Sequence, residues 1–393
     1  MVELKGFKWA VKASMNEGQT ASWRSDRTRK GNPPGRSPLA KASKTYRAYV
    51  ITFLLLLPIY ALVKTLFDLH ILFSTGRIVG TEDWLNAAFL KREKIVADTN
   101  PNEPRILIVA GSNGLFGLSA KTIQQETGIQ TINLSAHAGL GGDYLLNRAS
   151  RLLRKGDWLL LPLEYQFYRQ SGISSDFERQ DTLRRFLISY DRSSLQSISP
   201  LSLLGFWTDN LFDWHSKEYG LYVSGNLTRQ DITKRLQQQK DDPNLNCFSG
   251  LTFNSYGDET CNEGKENFPL IPVVLQPAMT PTRQKIDPAG YLNRFIQTAS
   301  QKGVRIIPLY PVSTNVAAYQ EASFQAYAQR IRQFWVSKGI EFNDSLERSL
   351  LPPNLMYNTN YHPKDSGRQV RTKAVLDLLR KQLNREKRDR NAV

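Results

Sequence analysis

An uncharged run of sixteen residues, 48–63, constrains this chain more than any other feature. Lys64 interrupts it and residues 65–67 extend it, so the apolar segment 48–67 has 20 residues. As an α-helix it is about 30 Å long, the thickness of a bilayer's hydrocarbon core. Pro58 is tolerated in such a helix, and Lys64 lies near enough to one end to snorkel towards headgroups. A buried core helix is the other home for such a run, but the flanks argue against it. Residues 1–47 carry 11 Lys or Arg, whereas Lys64 and Arg77 are the only ones between residues 64 and 80. That asymmetry predicts one membrane span with the N-terminus in the cytoplasm and the body outside. The n-region is long and no small-x-small site follows promptly, so the expectation is a retained anchor rather than a cleaved leader.

The charge of the 393-residue chain is uneven. The net +16 divides into +8 for residues 1–47, +4 for 380–393 and +4 for the long stretch between. The body is nearly neutral, which argues against nucleic acid as a partner, because a specific binder carries its basic face inside the folded domain. Residues 14–44 are rich in Ser, Thr, Gly, Pro, Arg and Lys without apolar period, so 1–47 reads as a disordered basic cytoplasmic tail. The two cysteines, Cys247 and Cys261, exclude a disulfide-dense scaffold and a four-thiolate zinc site. They sit 14 apart in a polar loop, and outside the cell a disulfide is expected in preference to two free thiols. Four scattered histidines without a paired motif give no metal site, and no cofactor is expected.

Beyond the span, apolar strands alternate with helical periods, the pattern of an α/β sheet with mostly parallel strands. Residues 68–104 read as a helical linker, with a helix over 81–96. Residues 105–167 form a first α/β half, with strands at 105–110, 130–135 and 158–163 and helices between them. Residues 168–287 break the rhythm and predict a helical insertion, or cap, that includes the cysteine loop. Its aromatics (Phe206, Trp207, Phe212, Trp214, Tyr219 and Tyr222) are expected to pack the insertion rather than line a groove. Residues 288–383 return to α/β, with helices at 288–302 and 317–337, strands at 304–310 and 339–344, and a terminal helix. Residues 384–393 are a basic tail.

In a parallel sheet, sites form beyond the carboxyl ends of the strands. Gly111-Ser112-Asn113-Gly114 follows the first strand, His137 and the glycines 139–142 follow the second, and Glu164-Tyr165 follows the third. The last loop carries Asn358, Asn360, His362 and Asp365. A serine and a histidine therefore arrive at one edge from far apart in the chain, which is what an activated hydroxyl nucleophile needs. Each also has a plainer role: Ser112 as a helix cap, His362 as a loop anchor, His137 as loop packing rather than a second base or substrate contact, and Glu164 as an arginine partner rather than a sugar-hydroxyl ligand.

Four stretches resemble the SGNH (GDSL-type) hydrolase superfamily and its membrane-anchored, envelope-acting O-acyl transfer branch. Ile106-Leu-Ile-Val-Ala-Gly-Ser112 is similar to the first strand and nucleophile turn, and Asn133-Leu-Ser-Ala-His-Ala-Gly139 to the second block. Leu160-Leu-Pro-Leu-Glu164 stands where the third block ends, and Tyr361-His362-Pro363 is similar to the final block. The chain departs from the pattern at Gly111, where an aspartate is usual. It departs again at Glu164, where an asparagine stands in the family, and at Thr359, the position of the triad acid.

The resemblance implies an α/β, flavodoxin-like (SGNH-type) three-layer parallel sheet with a helical insertion, preceded by one transmembrane helix. Ser112 and His362 would be catalytic. The Ser112 and Gly139 N–H groups would receive an oxyanion, with Asn113 as an additional donor. Asn358, Asn360 and Asp365 are candidates to orient His362. The implied function is a membrane-anchored serine esterase or O-acyltransferase acting on an envelope or extracellular polysaccharide. The alternative is a catalytically degenerate domain serving as a polymer-binding or assembly protein. Implied partners are the lipid bilayer, a glycan or acyl-ester substrate and a membrane acyl-donor protein.

Overall fold

The computed structural model describes residues 38–391, apart from 171, 213–215, 243–244 and 278–284. The expectations for residues 1–37 and for Trp214 lie outside the described residues. The chain divides into two compact units, residues 1–59 and 60–393. In the first, the described residues are helical, and the apolar side chains from Tyr46 to Ile59 are largely exposed. They belong to α1 (Pro38–Thr75), which contains a 30-residue segment, Tyr46–Thr75, long and apolar enough to cross a membrane. Only 6% of its most apolar window is buried, so this is no core helix.

The second unit is α/β. After α2 (Asp83–Ala97) come β1 (Ile106–Ile108), α3 (Ser112–Gly117), α4 (Ala120–Thr127), β2 (Thr131–Asn133), α5 (Gly142–Ser150) and β3 (Trp158–Leu161). Five helices fill the insertion: α6 (Ile173–Arg179), α7 (Asp181–Tyr190), α8 (Pro200–Phe212), α9 (Ser216–Val223) and α10 (Arg229–Asp241). Then follow α11 (Tyr291–Gln301), β4 (Arg305–Pro308), β5 (Ser313–Thr314), α12 (Ala322–Val336) and α13 (Leu346–Ser349). The chain closes with β6 (Leu350–Leu351), β7 (Met356–Thr359), β8 (His362–Pro363) and α14 (Asp365–Asn391).

The four longer parallel strands lie in the order β2-β1-β3-β4, with Ile106 paired to both Thr131 and Trp158, and Trp158 to Arg305. Successive side chains of a strand point to opposite faces, and the core divides accordingly. Leu107, Val109, Leu159 and Leu161 pack with α2, α5, α11 and α12. Ile106, Ile108, Trp158 and Leu160 pack with Ile123 of α4 and Val375 and Leu379 of α14. The result is three layers, helix on sheet on helix.

Several details differ from the sequence expectations: α1 starts at Pro38, inside the stretch 1–47 expected to be disordered, and α14 runs to Asn391 through the expected tail 384–393. Residues 340–345 run extended without pairing, so no fifth strand joins the sheet. Phe342 is buried there against Tyr310, and Asp344 forms a buried ion pair with Arg371 at 2.5 Å. These side-chain contacts hold the segment in place of a strand ladder. The helix expected over 317–337 begins with a separate short turn, Ala317–Gln320, ahead of α12. Lys64 does not snorkel: it is buried, 2.5 Å from Asp68 and 2.7 Å from the Tyr219 hydroxyl.

The insertion is helical, and Cys247 and Cys261 are disulfide-bonded. The bonded loop closes the open edge of β2, where the Asn133 N–H donates to Tyr256 O at 2.8 Å. Asp258 from the same loop accepts the Ala120 and Lys121 N–H groups at 2.8 and 3.0 Å, capping α4. Phe206 packs on Phe177 and Tyr219 on Phe67, the packing role expected of those rings.

Candidate functional site

β1 delivers the chain through Ala110-Gly111 to Ser112, the first residue of α3. The turn is tight: a Cβ on Gly111 would meet the Glu164 carboxylate and would stand 2.8 Å from the Ala138 Cβ. Ser112 is half-buried. It is not a cap, because Gly111 occupies that position and α3 has no side-chain cap. Among the described residues no hydrogen bond engages its hydroxyl.

His362 comes from the other end of the chain, in the short hairpin where β8 pairs with β7. The hairpin packs against α3, and the imidazole stacks on Phe116, one helical turn beyond Ser112, with ring centres 4.2 Å apart. Asn358 Oδ1 lies 2.8 Å from His362 Nδ1. An amide oxygen only accepts, so Nδ1 carries the proton and Nε2 keeps its lone pair. Burial, with a smaller contribution from nearby His137, pushes the imidazole down to about 3, so it is neutral throughout the physiological range. Among the described residues no hydrogen bond joins Nε2 to the Ser112 hydroxyl.

Of the three residues proposed to orient His362, only Asn358 does so. The Asn360 amide donates to Gln276 O at 3.1 Å. Asp365 pairs with Arg368 at 2.5 Å. Each is thus engaged by a partner other than the ring.

Two of the three expected oxyanion donors are engaged elsewhere. Asn113 is buried; its amide donates to Pro162 O, and its Oδ1 accepts the Val312 N–H at 2.7 Å. It therefore ties the chain after β3 to the chain after β4. The Gly139 N–H donates to His137 Nδ1 at 3.1 Å. His137 is half-buried, with Trp84 edge-on to its ring at 6.1 Å. The Ser112 N–H stands at the open start of α3, where helix N–H groups lack intrahelical partners.

Glu164 forms no ion pair with an arginine among the described residues. Fully buried, it accepts the Gly111 N–H at 2.9 Å and the Asn113 N–H at 3.0 Å, bracing the serine turn from beneath. Burial raises its carboxyl to about 7, and the two N–H bonds limit that rise. His137 also forms part of the wall of a cleft of about 440 Å³. Trp84, Phe248, Glu82, Glu218 and Arg235 line the rest.

Two contributors escaped sequence reasoning. Phe116 was readable in principle, since it sits four residues after Ser112 and so on the same helix face. Asp258 was not, because nothing in its polar loop marks a cap for a helix 138 residues away. Among the described residues no group of His, Cys, Asp and Glu is placed to hold a metal ion. Comparisons with protein-family models, with curated proteins and with solved structures return no match.

Proposed function

We propose that this chain is a membrane-anchored, SGNH-like serine esterase or O-acyltransferase acting on an envelope or extracellular polysaccharide. The observation that carries the proposal is the His362 arrangement. Its Nδ1 is fixed on Asn358 and its ring lies on Phe116, so a neutral Nε2 is available beside the helix that begins with an unengaged serine. The strand order β2-β1-β3-β4 supports a flavodoxin-like sheet, which places the ends of β1 and β3 at the site.

In the reaction, Ser112 Oγ attacks the acyl carbonyl and its proton passes to His362 Nε2. The carbonyl oxygen becomes an oxyanion facing the Ser112 N–H. Collapse breaks the ester C–O bond, and the departing alcohol takes the proton from His362. Water, or an acceptor hydroxyl, then attacks the acyl-serine, giving hydrolysis or transfer. Rings and carboxylates in the cleft beside His137 suit a sugar chain, with apolar faces for the ring and acceptors for hydroxyls. Helix α1 anchors the domain, the basic residues before it favouring a cytoplasmic N-terminus and an external domain.

A catalytically degenerate, polymer-binding domain is the second reading. It is favoured by the commitment of the Asn113 amide and the Gly139 N–H elsewhere. Turnover of a small chromogenic acetyl ester by the full chain distinguishes the two. We expect turnover that Ser112→Ala and His362→Ala each reduce by about 10²-fold or more. Equal background rates in all three proteins would contradict the enzyme reading.

A further inference from the structure

Helix α8 carries an outer face made of Leu201, Leu204, Gly205, Thr208 and Phe212, spaced as one side of a helix. Leu201 is 78%, Leu204 54% and Phe212 67% exposed. A soluble surface seldom gathers its large apolar side chains on one helix face without a partner. One charge borders the face: Asp209, four residues after Gly205 and 72% exposed, lies 3.3 Å from Arg184 of α7.

The neighbour of this face is the apolar side of α1. Trp207 Nε1 donates to Thr65 Oγ1 at 2.9 Å, and the Tyr60 hydroxyl donates to Leu211 O at 2.6 Å. Leu62, Val63 and Leu66 of α1 are themselves more than half exposed. Polar groups in the seam are satisfied internally. Lys64 meets Asp68 and Tyr219, and the Asn210 amide donates to Asp68 at 2.8 Å. Buried polar groups paired with one another beneath a largely apolar exterior are what a hydrocarbon neighbour requires. Trp207 and Tyr60 also place rings with polar tips at this level, as residues of a bilayer interface do.

We infer that the outer face of α8 lies in the interfacial layer of the lipid bilayer, beside α1, as an in-plane membrane-binding helix. The domain is then held by two contacts, one crossing and one lying flat. This orients it relative to the lipid surface instead of leaving it to swing on a single tether. The inference rests on the reading of α1 as a membrane span.

The test uses the full chain in phosphatidylcholine–phosphatidylglycerol vesicles, with a nitroxide attached to one introduced cysteine at a time. Both native cysteines are disulfide-bonded, so no native thiol competes. Labels replace Leu201 and Leu204 on α8, Leu55 in α1 and Val336, which is 55% exposed on α12. Collisions with oxygen, which partitions into lipid, are compared with those of a water-soluble nickel chelate. We expect the oxygen-to-nickel ratio at positions 201, 204 and 55 to exceed that at 336 by roughly tenfold. A lipid-like signal at 55 with a water-like one at 201 and 204 would overturn the inference and leave the span standing. Water-like signals at all of them would remove the span and the inference together. Shielding of 201 and 204 from both reagents would mean that protein covers the face, either a second copy or another chain, and would also overturn it.

Discussion

Asn358 and His362 show how much one hydrogen bond decides. The family resemblance places an acid three residues before the histidine; here Thr359 stands there, and the amide four residues before reaches Nδ1 at 2.8 Å. An amide fixes the tautomer but brings no charge to hold the imidazolium that forms in the reaction. Asn358→Ala should therefore lower kcat by about 10²-fold or more with KM unchanged. Asn358→Asp should raise kcat and move the acidic limb of the pH profile upward, because a carboxylate favours the protonated ring. A purely structural Asn358 would shift stability and leave that limb where it was.

Glu164 makes a second prediction at the same scale. Its carboxyl is raised from 4.5 to about 7, so between those values the native state holds a proton that the unfolded chain releases. Its contribution is present below about pH 4.5 and is lost as pH rises through about 7. His362 acts oppositely, its contribution being lost as pH falls from 6.5 towards about 3. Asp176, also raised to about 7 chiefly by burial, adds to the Glu164 slope. Between about pH 6.5 and 7.5 the carboxyls dominate, and Tm should decline. Glu164→Gln should flatten that decline. It should also cost about 1–3 kcal/mol, since its amide nitrogen would face one of the two N–H donors. Identical slopes in the two proteins would contradict this account of Glu164.

At the scale of elements, Asp258 joins three parts of the fold: the disulfide loop, the start of α4 and, through Asn133, β2. Removing it in Asp258→Ala leaves the buried Ala120 N–H and the part-buried Lys121 N–H without that acceptor, at a cost of about 1–3 kcal/mol. Urea unfolding at unchanged m should read it, with Asp258→Asn recovering part of the loss; a change below a few tenths of a kcal/mol would refute the capping role.

The four longer strands were legible because their runs are short, continuous and apolar, as at Ile106–Ile108 and Trp158–Leu161. Residues 339–344 are apolar only at alternate positions, Ile340 and Phe342, and they do not pair. Their buried side chains are anchored by Arg371 and Tyr310, partners that no local pattern announces. Ser112 was legible as the residue that follows the first strand, and its helix α3 packs against the β7–β8 hairpin, antiparallel and outside the four-stranded sheet, that carries His362. Which N–H and amide groups remain open was not legible, because Asn113 and Glu164 are committed by contacts tens of residues away, and the Gly139 N–H by a local turn onto His137, two residues before it.

Across the whole molecule, the long separation between Ser112 and His362 is closed by α14 and the β7–β8 hairpin packing against α3, while the insertion carries the apolar helix α8 beside α1. On the proposed reading, membrane attachment and chemistry fall to different parts of one chain. The central claim is that the hydroxyl of Ser112 is a nucleophile driven by His362. It is tested most directly by incubating the full chain with an activated acyl ester, quenching in acid and mapping the acylated peptide by mass spectrometry. We predict a single acyl group on Ser112 that His362→Ala prevents. An unmodified Ser112 peptide, or acylation that persists undiminished without His362, would contradict it.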